Sequence, residues 1–192
     1  MDNYKNNYKF GNDWFTMQIP SWKKYFLNCH KSHISKVLEV GVYEGRATMW
    51  LLENILNKDV SYDMVDNFHD DNFHGDDIEK KLLYNLSFHK TQSFNVYKES
   101  SQFILPELFK NGNKYDLIYI DASHSTDDVF VDAYYSHKML NINGTIIFDD
   151  NLWQNKYGLF SVKKATDFFE ELYRDEYTQF NNRYQLFYLK NK

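Results

Sequence analysis

Five short polar or glycine-containing segments lie where apolar runs of the chain end, and their side chains could bind a ligand or move a proton. The first is Glu39-Val-Gly-Val-Tyr-Glu-Gly, in which Gly41 and Gly45 stand four residues apart. Glycines at such a bend let the backbone approach a ligand closely. The segment lacks the three-glycine turn that holds a pyrophosphate, and the Glu39 carboxylate suits an ammonium group better. The alternative is that both glycines serve only a turn between a strand and a helix.

Asp66 is the second candidate, since it directly follows the apolar run 60–65. A carboxylate at the end of a strand can accept hydrogen bonds from both hydroxyls of a ribose. The alternative is a solvated loop aspartate, one of several acidic residues in 63–77. The position at the end of the run favours the ribose role.

The elements that must position these residues follow from hydrophobic periodicity. Strands are predicted at 36–40, 60–65, 94–97, 115–120 and 144–148, helices at 21–29, 45–56, 76–86, 101–110, 126–140 and 161–174, and a closing strand pair at 177–180 and 184–189. Alternation of strand and helix predicts a parallel α/β sheet with helices on both faces. Ligands of such sheets bind at the carboxyl ends of the strands, where all five segments lie.

Taken in order, these segments resemble the class I S-adenosylmethionine-dependent methyltransferases. Val37-Leu-Glu-Val-Gly-Val-Tyr-Glu-Gly-Arg-Ala-Thr is similar to motif I of that family. The likeness continues through Tyr115-Asp-Leu-Ile-Tyr-Ile-Asp-Ala-Ser-His-Ser and Asn143-Gly-Thr-Ile-Ile-Phe-Asp-Asp, as in the small stand-alone domains with Ile-Asp-x-x-His and Phe-Asp-Asp. The resemblance implies a Rossmann-like, doubly wound sheet of seven strands in the order 3-2-1-4-5-7-6, the last strand antiparallel. It also implies one domain, with a lead-in and helix at 1–35 and a core at 36–192.

Carried over residue by residue, the resemblance assigns a cofactor site. The methionine part of S-adenosylmethionine would be lined by Glu39, Gly41, Val42, Tyr43 and Gly45, and the ribose would be held by Asp66. Ser100 and Ser101 would border the adenine, with Gln102 nearby, and Asp121 would face the amino group or the reacting end. Ser100 departs from the pattern, because many members carry an acidic residue at that place.

A narrower resemblance concerns a metal ion. Gly41-Val-Tyr-Glu-Gly, Ser101-Gln-Phe-Ile-Leu-Pro-Glu-Leu and Gly144-Thr-Ile-Ile-Phe-Asp-Asp-Asn are similar to catechol O-methyltransferase, and Asp149-Asp-Asn-Leu-Trp is similar to caffeoyl-CoA O-methyltransferase. This likeness implies Mg²⁺ bound by Asp121 with Asp149 and Asp150, or by Asp121 with Asp150 and Asn151, because the two comparisons differ by one residue. An all-oxygen set suits Mg²⁺, which would lower the pKa of an attacking hydroxyl. The alternative is a turn whose side chains cap local N–H groups.

His124 takes the place at which those relatives carry a basic lysine, three residues after the first acid. A histidine can accept a proton near neutral pH, so a general-base role is compatible with the substitution. A structural hydrogen-bonding role is the alternative. For Trp14, Phe15 and Trp22, the alternatives are a lid over the cofactor and plain packing against the sheet.

Composition restricts the partners and the compartment. The formal charge of −5 argues against a dedicated nucleic-acid binder. The single cysteine, Cys29, can form neither an internal disulfide nor a cysteine-based zinc site. No apolar run approaches the ~20 residues of a membrane span, and the polar N-terminus does not resemble a signal peptide, so we expect a cytoplasmic protein with no membrane partner.

These observations favour methyl transfer to a small-molecule acceptor, with a hydroxyl oxygen as the methylated atom. A neutral hydroxyl is a poor nucleophile, and His124, Asp121 and the pair Asp149 and Asp150 offer a base or a metal site. The alternatives are a catalytically inactive cofactor-binding or assembly subunit, and an NAD-dependent oxidoreductase. Because the chain has few loops, the site would be open, and a second copy or a partner subunit would complete it.

Overall fold

The computed structural model describes residues 4–28, 33–69, 75–181 and 184–192, and Cys29 lies outside them. Its strands are β1 (Lys36–Val40), β2 (Ser61–Val65), β3 (Ser93–Tyr97), β4 (Tyr115–Ile120), β5 (Leu140–Phe148), β6 (Tyr177–Asn181) and β7 (Leu186–Lys190). Its helices are α1 (Ile19–Asn28), α2 (Arg46–Asn54), α3 (Gly75–Leu86), α4 (Ser101–Lys110), α5 (Thr126–Met139) and α6 (Ser161–Tyr173). Single 3₁₀ turns lie at Thr16–Gln18 and Arg174–Glu176.

The seven strands form one sheet in the order β3-β2-β1-β4-β5-β7-β6. Pairing is parallel from β3 to β5, whereas β7 runs antiparallel to both β5 and β6. The predicted strand order and the antiparallel last strand are therefore confirmed. The chain leaves β1 in one direction, toward β2 and β3, and returns to its other side at β4. The crevice between the ends of β1 and β4 is the switch point at which ligands of such sheets bind.

Successive residues of a strand point to opposite faces of the sheet, so its apolar side chains lie on both faces, and helices cover both. Val37 and its neighbours in one core pack with Trp22 of α1 and Trp50 of α2, and all three side chains are inaccessible to solvent. Leu38 belongs to a second core on the opposite face, with α4, α5 and α6. The abundant aromatic residues serve this packing, since α1 and α6 place most of their rings against other rings.

The start of β5 differs from its predicted position, whereas α4 continues through a proline as predicted. β5 begins at Leu140 rather than at residue 144, directly after α5, and Leu140 pairs with Tyr115 before the register shifts along β4. The polar sequence Asn-Ile-Asn conceals this half of the strand from a prediction based on hydrophobicity. α4 continues through Pro106 as predicted, with Ser100 as its N-cap.

His137 lies in the second core and links α5 to the end of the sheet. Its side chain is buried, Nδ1 lies 2.9 Å from the Tyr177 hydroxyl, and its ring stacks on Tyr173 with centroids 3.8 Å apart. Burial, together with the charge of Lys190, lowers the pKa of His137 to about 4. The folded state therefore favours neutral imidazole, whereas the unfolded chain binds a proton near pH 6.5.

We expect His137 to make the protein lose stability as the pH falls from about 6.5 toward 4. For wild type, this one group should lower the free energy of unfolding by about 2 kcal/mol between pH 7.5 and 5. His137→Gln should be less stable than wild type at pH 7.5, and this difference in the free energy of unfolding should shrink by about 2 kcal/mol at pH 5, as measured by urea denaturation. The exposed His33 supplies the control, because His33→Gln should keep the wild-type slope. An equal slope in His137→Gln and wild type would contradict the assignment.

Candidate active site

Gly41 stands where β1 turns toward α2, in a conformation that L side chains rarely adopt, with φ +85°. A Cβ atom there would overlap the carbonyl oxygen of Asp121 and lie 2.7 Å from the Cα of Ala122. The Gly41 amide also donates to the Val65 carbonyl over 2.8 Å. The absent side chain thus permits the loop after β1 to pack on the end of β4, so the close approach that glycine allows is to the protein's own backbone.

Gly45 ends the same loop with φ +78° and caps α2. A Cβ there would lie 2.6 Å from Cδ1 of Leu82 in α3. Both glycines are therefore required by backbone conformation and by packing.

Glu39 is the buried acid beneath this loop. Its Oε2 accepts hydrogen bonds from Thr48 Oγ1 over 2.7 Å and from the Tyr62 hydroxyl. Burial raises the pKa of Glu39 to about 7, and the nearby charge of Asp66 adds to the rise. Since Glu39 lines the open cavity described below, a cation arriving there would favour its ionised form.

Asp66 fixes the backbone on both sides of the crevice. Its Oδ2 accepts from the Tyr43 amide over 2.7 Å, and its Oδ1 accepts from the Phe68 amide over 2.6 Å. Tyr43 and Phe68 both have positive φ, which these bonds help to hold. Burial raises the pKa of Asp66. The Val42 amide also contributes to holding this carboxylate, which lines the cavity described below.

Ser100 and Gln102 lie at the start of α4, where the Ser100 hydroxyl accepts from the Gln102 amide over 3.3 Å. Both line the cavity together with Ser101. The side-chain nitrogen Nε2 of Gln102 is buried and has no hydrogen-bond partner among the described residues. A buried donor in that state is unusual, and a shift of the Gln102 side chain toward the cavity would let a ligand satisfy it.

Asp121 and Asp149 face each other across the ends of β4 and β5. The Tyr119 hydroxyl lies within hydrogen-bonding distance of Oδ2 of both carboxyl groups, at 2.9 Å from that of Asp121. Asp149 Oδ2 also accepts from Gln185 Nε2 over 2.8 Å, and Gln185 Oε1 accepts from Trp22 Nε1 over 2.6 Å. Burial raises the pKa of both Asp121 and Asp149; repulsion from Asp149 and Asp150 adds to the rise at Asp121, and repulsion from Asp150 adds to it at Asp149. One chain of buried hydrogen bonds therefore connects α1 to the acids of the crevice.

His124 and Asp150 are in contact at the mouth of the crevice. His124 Nε2 lies 2.8 Å from Asp150 Oδ2, and the His124 ring packs on Trp153 with centroids 4.4 Å apart. Asp121, His124 and Asp150 each offer one ligand atom within 4.8 Å of the others, a spacing compatible with a metal ion. The Asn151 side chain lies elsewhere, since its Oδ1 accepts from Thr166 Oγ1 of α6 over 3.0 Å.

One cavity of about 950 Å³ runs along the crevice and connects these groups. It is lined by every predicted site residue except Gly45 and Asn151, namely Glu39, Gly41, Val42, Tyr43, Asp66, Ser100, Ser101, Asp121, His124, Asp149 and Asp150. The structure thus brings the cofactor candidates and the catalytic candidates into one space.

The N-terminal strap, residues 11–18, forms one wall of that cavity. Glu44 anchors it: its buried carboxylate accepts from the Gly11 amide and from Lys81 Nζ. Asn12 Nδ2 donates to the Tyr43 hydroxyl over 3.1 Å, and Trp14 packs on the Tyr43 ring. Trp14 stands exposed at the mouth, whereas the other two rings considered for a lid, Phe15 and Trp22, lie buried in the core.

Three contributors to the site were not singled out from the sequence. Tyr119 precedes Asp121 by two residues, and strand periodicity places both side chains on one face of the sheet. This spacing in the sequence could therefore have identified Tyr119. Trp153 and Gln185 approach the site only through the path of the β5–α6 loop and of β7. No local pattern indicates that approach.

The comparison with known proteins decides the family. The model of a family described as a methyltransferase domain matches residues 38–151, from β1 to the residues after β5. The chain belongs to this methyltransferase family. The match includes Glu39, Asp66, Asp121 and Asp149, and it is at odds with the oxidoreductase alternative. No curated protein sequence matches the chain.

Several solved methyltransferase structures share the fold. The O-methyltransferase TomG from Streptomyces achromogenes, in complex with S-adenosylmethionine, has a TM-score of 0.64 at 16% identity, over 90% of this chain and 80% of that one. MycE from the mycinamycin biosynthetic pathway, in complex with Mg and S-adenosylhomocysteine, has a TM-score of 0.60 at 13% identity, over 94% of this chain and 51% of its own. A protein described as an rRNA-methylase, from Clostridium thermocellum, has a TM-score of 0.67 at 10% identity, over 92% and 95%. At these identities the likeness shows the fold alone.

Within the described residues, no helix has the length and apolar character that crossing a membrane requires.

Gly41→Ala tests the packing of the loop after β1 on the end of β4. Strain and overlap together should lower the free energy of unfolding by about 2–4 kcal/mol. Gly112→Ala is the matched control, because Gly112 also has a positive φ, of +76°, but a Cβ atom added there would have nothing within 4 Å. Urea denaturation measures both variants, and the free energy of unfolding of Gly112→Ala should fall by only about 1 kcal/mol. Equal losses would show that conformation alone, and not the Asp121 contact, requires glycine at 41.

Proposed function

We propose that the protein transfers the methyl group of S-adenosylmethionine to a hydroxyl oxygen of a small acceptor. The observation that carries the proposal is the single cavity, in which Glu39, Asp66 and Gln102 are followed by Asp121, His124 and Asp150. The first three groups suit the polar parts of an adenosyl amino acid. The last three suit a hydroxyl that must lose a proton. Family membership and the fold supply the context.

The cofactor would lie across the ends of β1, β2 and β4. Glu39 would receive the ammonium group of its methionine part beside the loop Gly41–Gly45. The Asp66 carboxylate, which backbone amides hold at the edge of the cavity, would accept from the ribose hydroxyls. The side-chain Nε2 of Gln102 would donate to an adenine nitrogen, alongside Ser100 and Ser101, and so gain the hydrogen-bond partner that it lacks. Neighbours of the same fold are complexes with S-adenosylmethionine or S-adenosylhomocysteine.

His124 would act as the general base. When Nε2–H donates to Asp150, Nδ1 carries the lone pair that can accept the hydroxyl proton. The acceptor oxygen then forms a bond to the methyl carbon, the carbon–sulfur bond breaks, and its electron pair returns to sulfur. The products are the methyl ether, S-adenosylhomocysteine and protonated His124, whose charge Asp150 stabilises. Packing on Trp153 keeps the imidazole ring in place.

The residues also fit a divalent cation, as the structure of MycE with Mg would suggest. Asp121 and Asp150 present carboxylate oxygens to the same space, which suits Mg²⁺. Asp149 lies behind them, and its oxygens already accept from Tyr119, Gln185 and the Asp150 amide. Asp121 and Asp150 would therefore hold the ion, with Asp149 orienting the pair. When bound, the ion would polarise the acceptor oxygen and make its proton easier to remove.

Cofactor affinity should depend on pH through Glu39. In the free protein this side chain holds a proton below its pKa of about 7, whereas the bound ammonium requires the carboxylate. Binding at pH 6 must therefore release that proton, and S-adenosylhomocysteine should bind about tenfold more weakly at pH 6 than at pH 8. Calorimetric titration measures this. In Glu39→Gln the affinity should be lower and its dependence on pH should flatten, whereas an unchanged slope would contradict the role.

Replacing His124 tests the base and the reaction together. Wild type should bind S-adenosylhomocysteine but not NADH, and should form S-adenosylhomocysteine from S-adenosylmethionine with a phenolic acceptor such as tyrosol or tyramine. His124→Ala should lower kcat about a hundredfold or more with nearly unchanged cofactor affinity, whereas the exposed-site control His33→Ala should leave both unchanged.

Activity should fall on chelation and return with Mg²⁺. Activity that survives exhaustive chelation would refute the proposal that a metal ion assists the reaction.

The two other classes of function predict different outcomes of that assay. Tight NADH binding without S-adenosylhomocysteine binding would refute the methyltransferase proposal. Cofactor binding without product from any acceptor, in wild type and in His124→Ala alike, would favour an inactive cofactor-binding subunit.

A further inference from the structure

The cavity is strongly acidic. Nine carboxyl groups line it, against one guanidinium, that of Arg46, and no lysine among the described residues. The nine acids are Asp13, Glu39, Glu44, Asp66, Glu99, Asp121, Asp128, Asp149 and Asp150. Burial raises the pKa of Glu39, Asp66, Asp121 and Asp149, so not every acid is charged at once, but where the acids are ionised this lining gives a negative potential that selects among ligands by their charge.

The acids divide between the two ends of the cavity. Glu39, Asp66 and Glu99 lie at the end that the proposed function assigns to the cofactor, and Glu44 is paired with Lys81. At the opposite end Asp121, Asp149 and Asp150 lie with His124, and Asp128 lines the cavity beside Ser123, the residue before His124. Asp128 is half-buried, and its Oδ2 accepts from the Ser123 hydroxyl over 2.7 Å.

Arg46 does not offset the acids around His124. Its Nη1 lies 3.6 Å from the Asp13 carboxylate, and its Nε donates to the Asn12 carbonyl over 2.9 Å. The guanidinium also packs on the Phe10 ring at 4.2 Å. These contacts hold it against the N-terminal strap, so an anionic acceptor entering beside His124 would find no lysine or arginine among the described residues that line the cavity there.

Aromatic and thioether side chains line the cavity where it is open to solvent. Trp14, Met17, Trp153 and Tyr184 line the cavity mouth, and each is exposed over at least a third of its surface. The Trp153 ring lies beside the proposed base His124. Rings of this kind bind flat apolar groups, and their faces also attract cations.

We propose that the acceptor is a cationic ring compound, an amine that carries its hydroxyl on or near an aromatic or similarly flat ring. The inference rests on the proposed function and specifies the substrate class of that site. The amine would lie near Asp128 and its neighbouring acids, and the ring would pack between Trp14 and Trp153. Carboxylate and phosphate acceptors, RNA included, meet carboxyl groups there whose negative charge a single divalent cation would offset only in part, and such acceptors are disfavoured.

Three probes with one phenol ring separate the effect of charge: tyramine is cationic, tyrosol is neutral and 4-hydroxyphenylacetate is anionic. Each is titrated into protein saturated with S-adenosylhomocysteine, and binding is followed by tryptophan fluorescence. Tyramine should bind at least about tenfold more tightly than 4-hydroxyphenylacetate, with tyrosol between them, and the preference should shrink in high salt. Equal binding of all three probes, absence of binding by all three, or a preference for the anion would overturn the proposal.

Asp128→Asn locates the effect, and Asp127→Asn is its matched control. The two residues are adjacent at the start of α5, but Asp127 is exposed and lies outside the cavity lining. Asp128→Asn should reduce the preference for tyramine about threefold, whereas Asp127→Asn should leave it unchanged. An unchanged preference in folded Asp128→Asn would contradict the assignment. Failure of S-adenosylhomocysteine to bind wild type would instead refute the proposed function itself.

Discussion

The close packing of the Gly41 backbone on the carbonyl of Asp121 is the contact on which the site depends. It joins the loop after β1 to the end of β4, the two strands that flank the switch point of the sheet. Asp66 extends this junction to β2 by accepting from the Tyr43 amide. The three strand ends are thereby held together, and the cavity opens above them. A side chain at 41 would push the two sides of the crevice apart.

A second constraint ties the acids of the crevice to the body of the protein. Asp149 is held by Tyr119 and Gln185, and Gln185 in turn bonds to Trp22 of the first helix. Buried carboxyl groups are costly unless hydrogen-bonded, so this chain of bonds stabilises an arrangement that desolvation alone would oppose. It leaves Asp121 and Asp150 facing the cavity. Packing far from the cavity therefore determines which acids can act in it.

Much of this could be predicted from the sequence, and the reasons for the failures are physical. Strand ends were recognisable because Glu39, Asp66 and Asp121 interrupt apolar runs, and the sheet order followed from the resemblance. The start of β5 at Leu140 was missed because its pairing with β4 outweighs its polar composition. The sequence left open whether Asp149 or Asn151 accompanies Asp150, because residue types do not reveal the course of the chain after β5, where Asp150 has a positive φ.

The site separates into an end that would recognise a cofactor and an end that would prepare an acceptor, both within one acidic cavity. A crystal structure of the protein with S-adenosylhomocysteine tests this arrangement most directly. We expect the ammonium beside Glu39, the ribose hydroxyls on Asp66, and the sulfur directed toward His124. S-adenosylhomocysteine bound outside the cavity, or bound with its ribose away from Asp66, would contradict it.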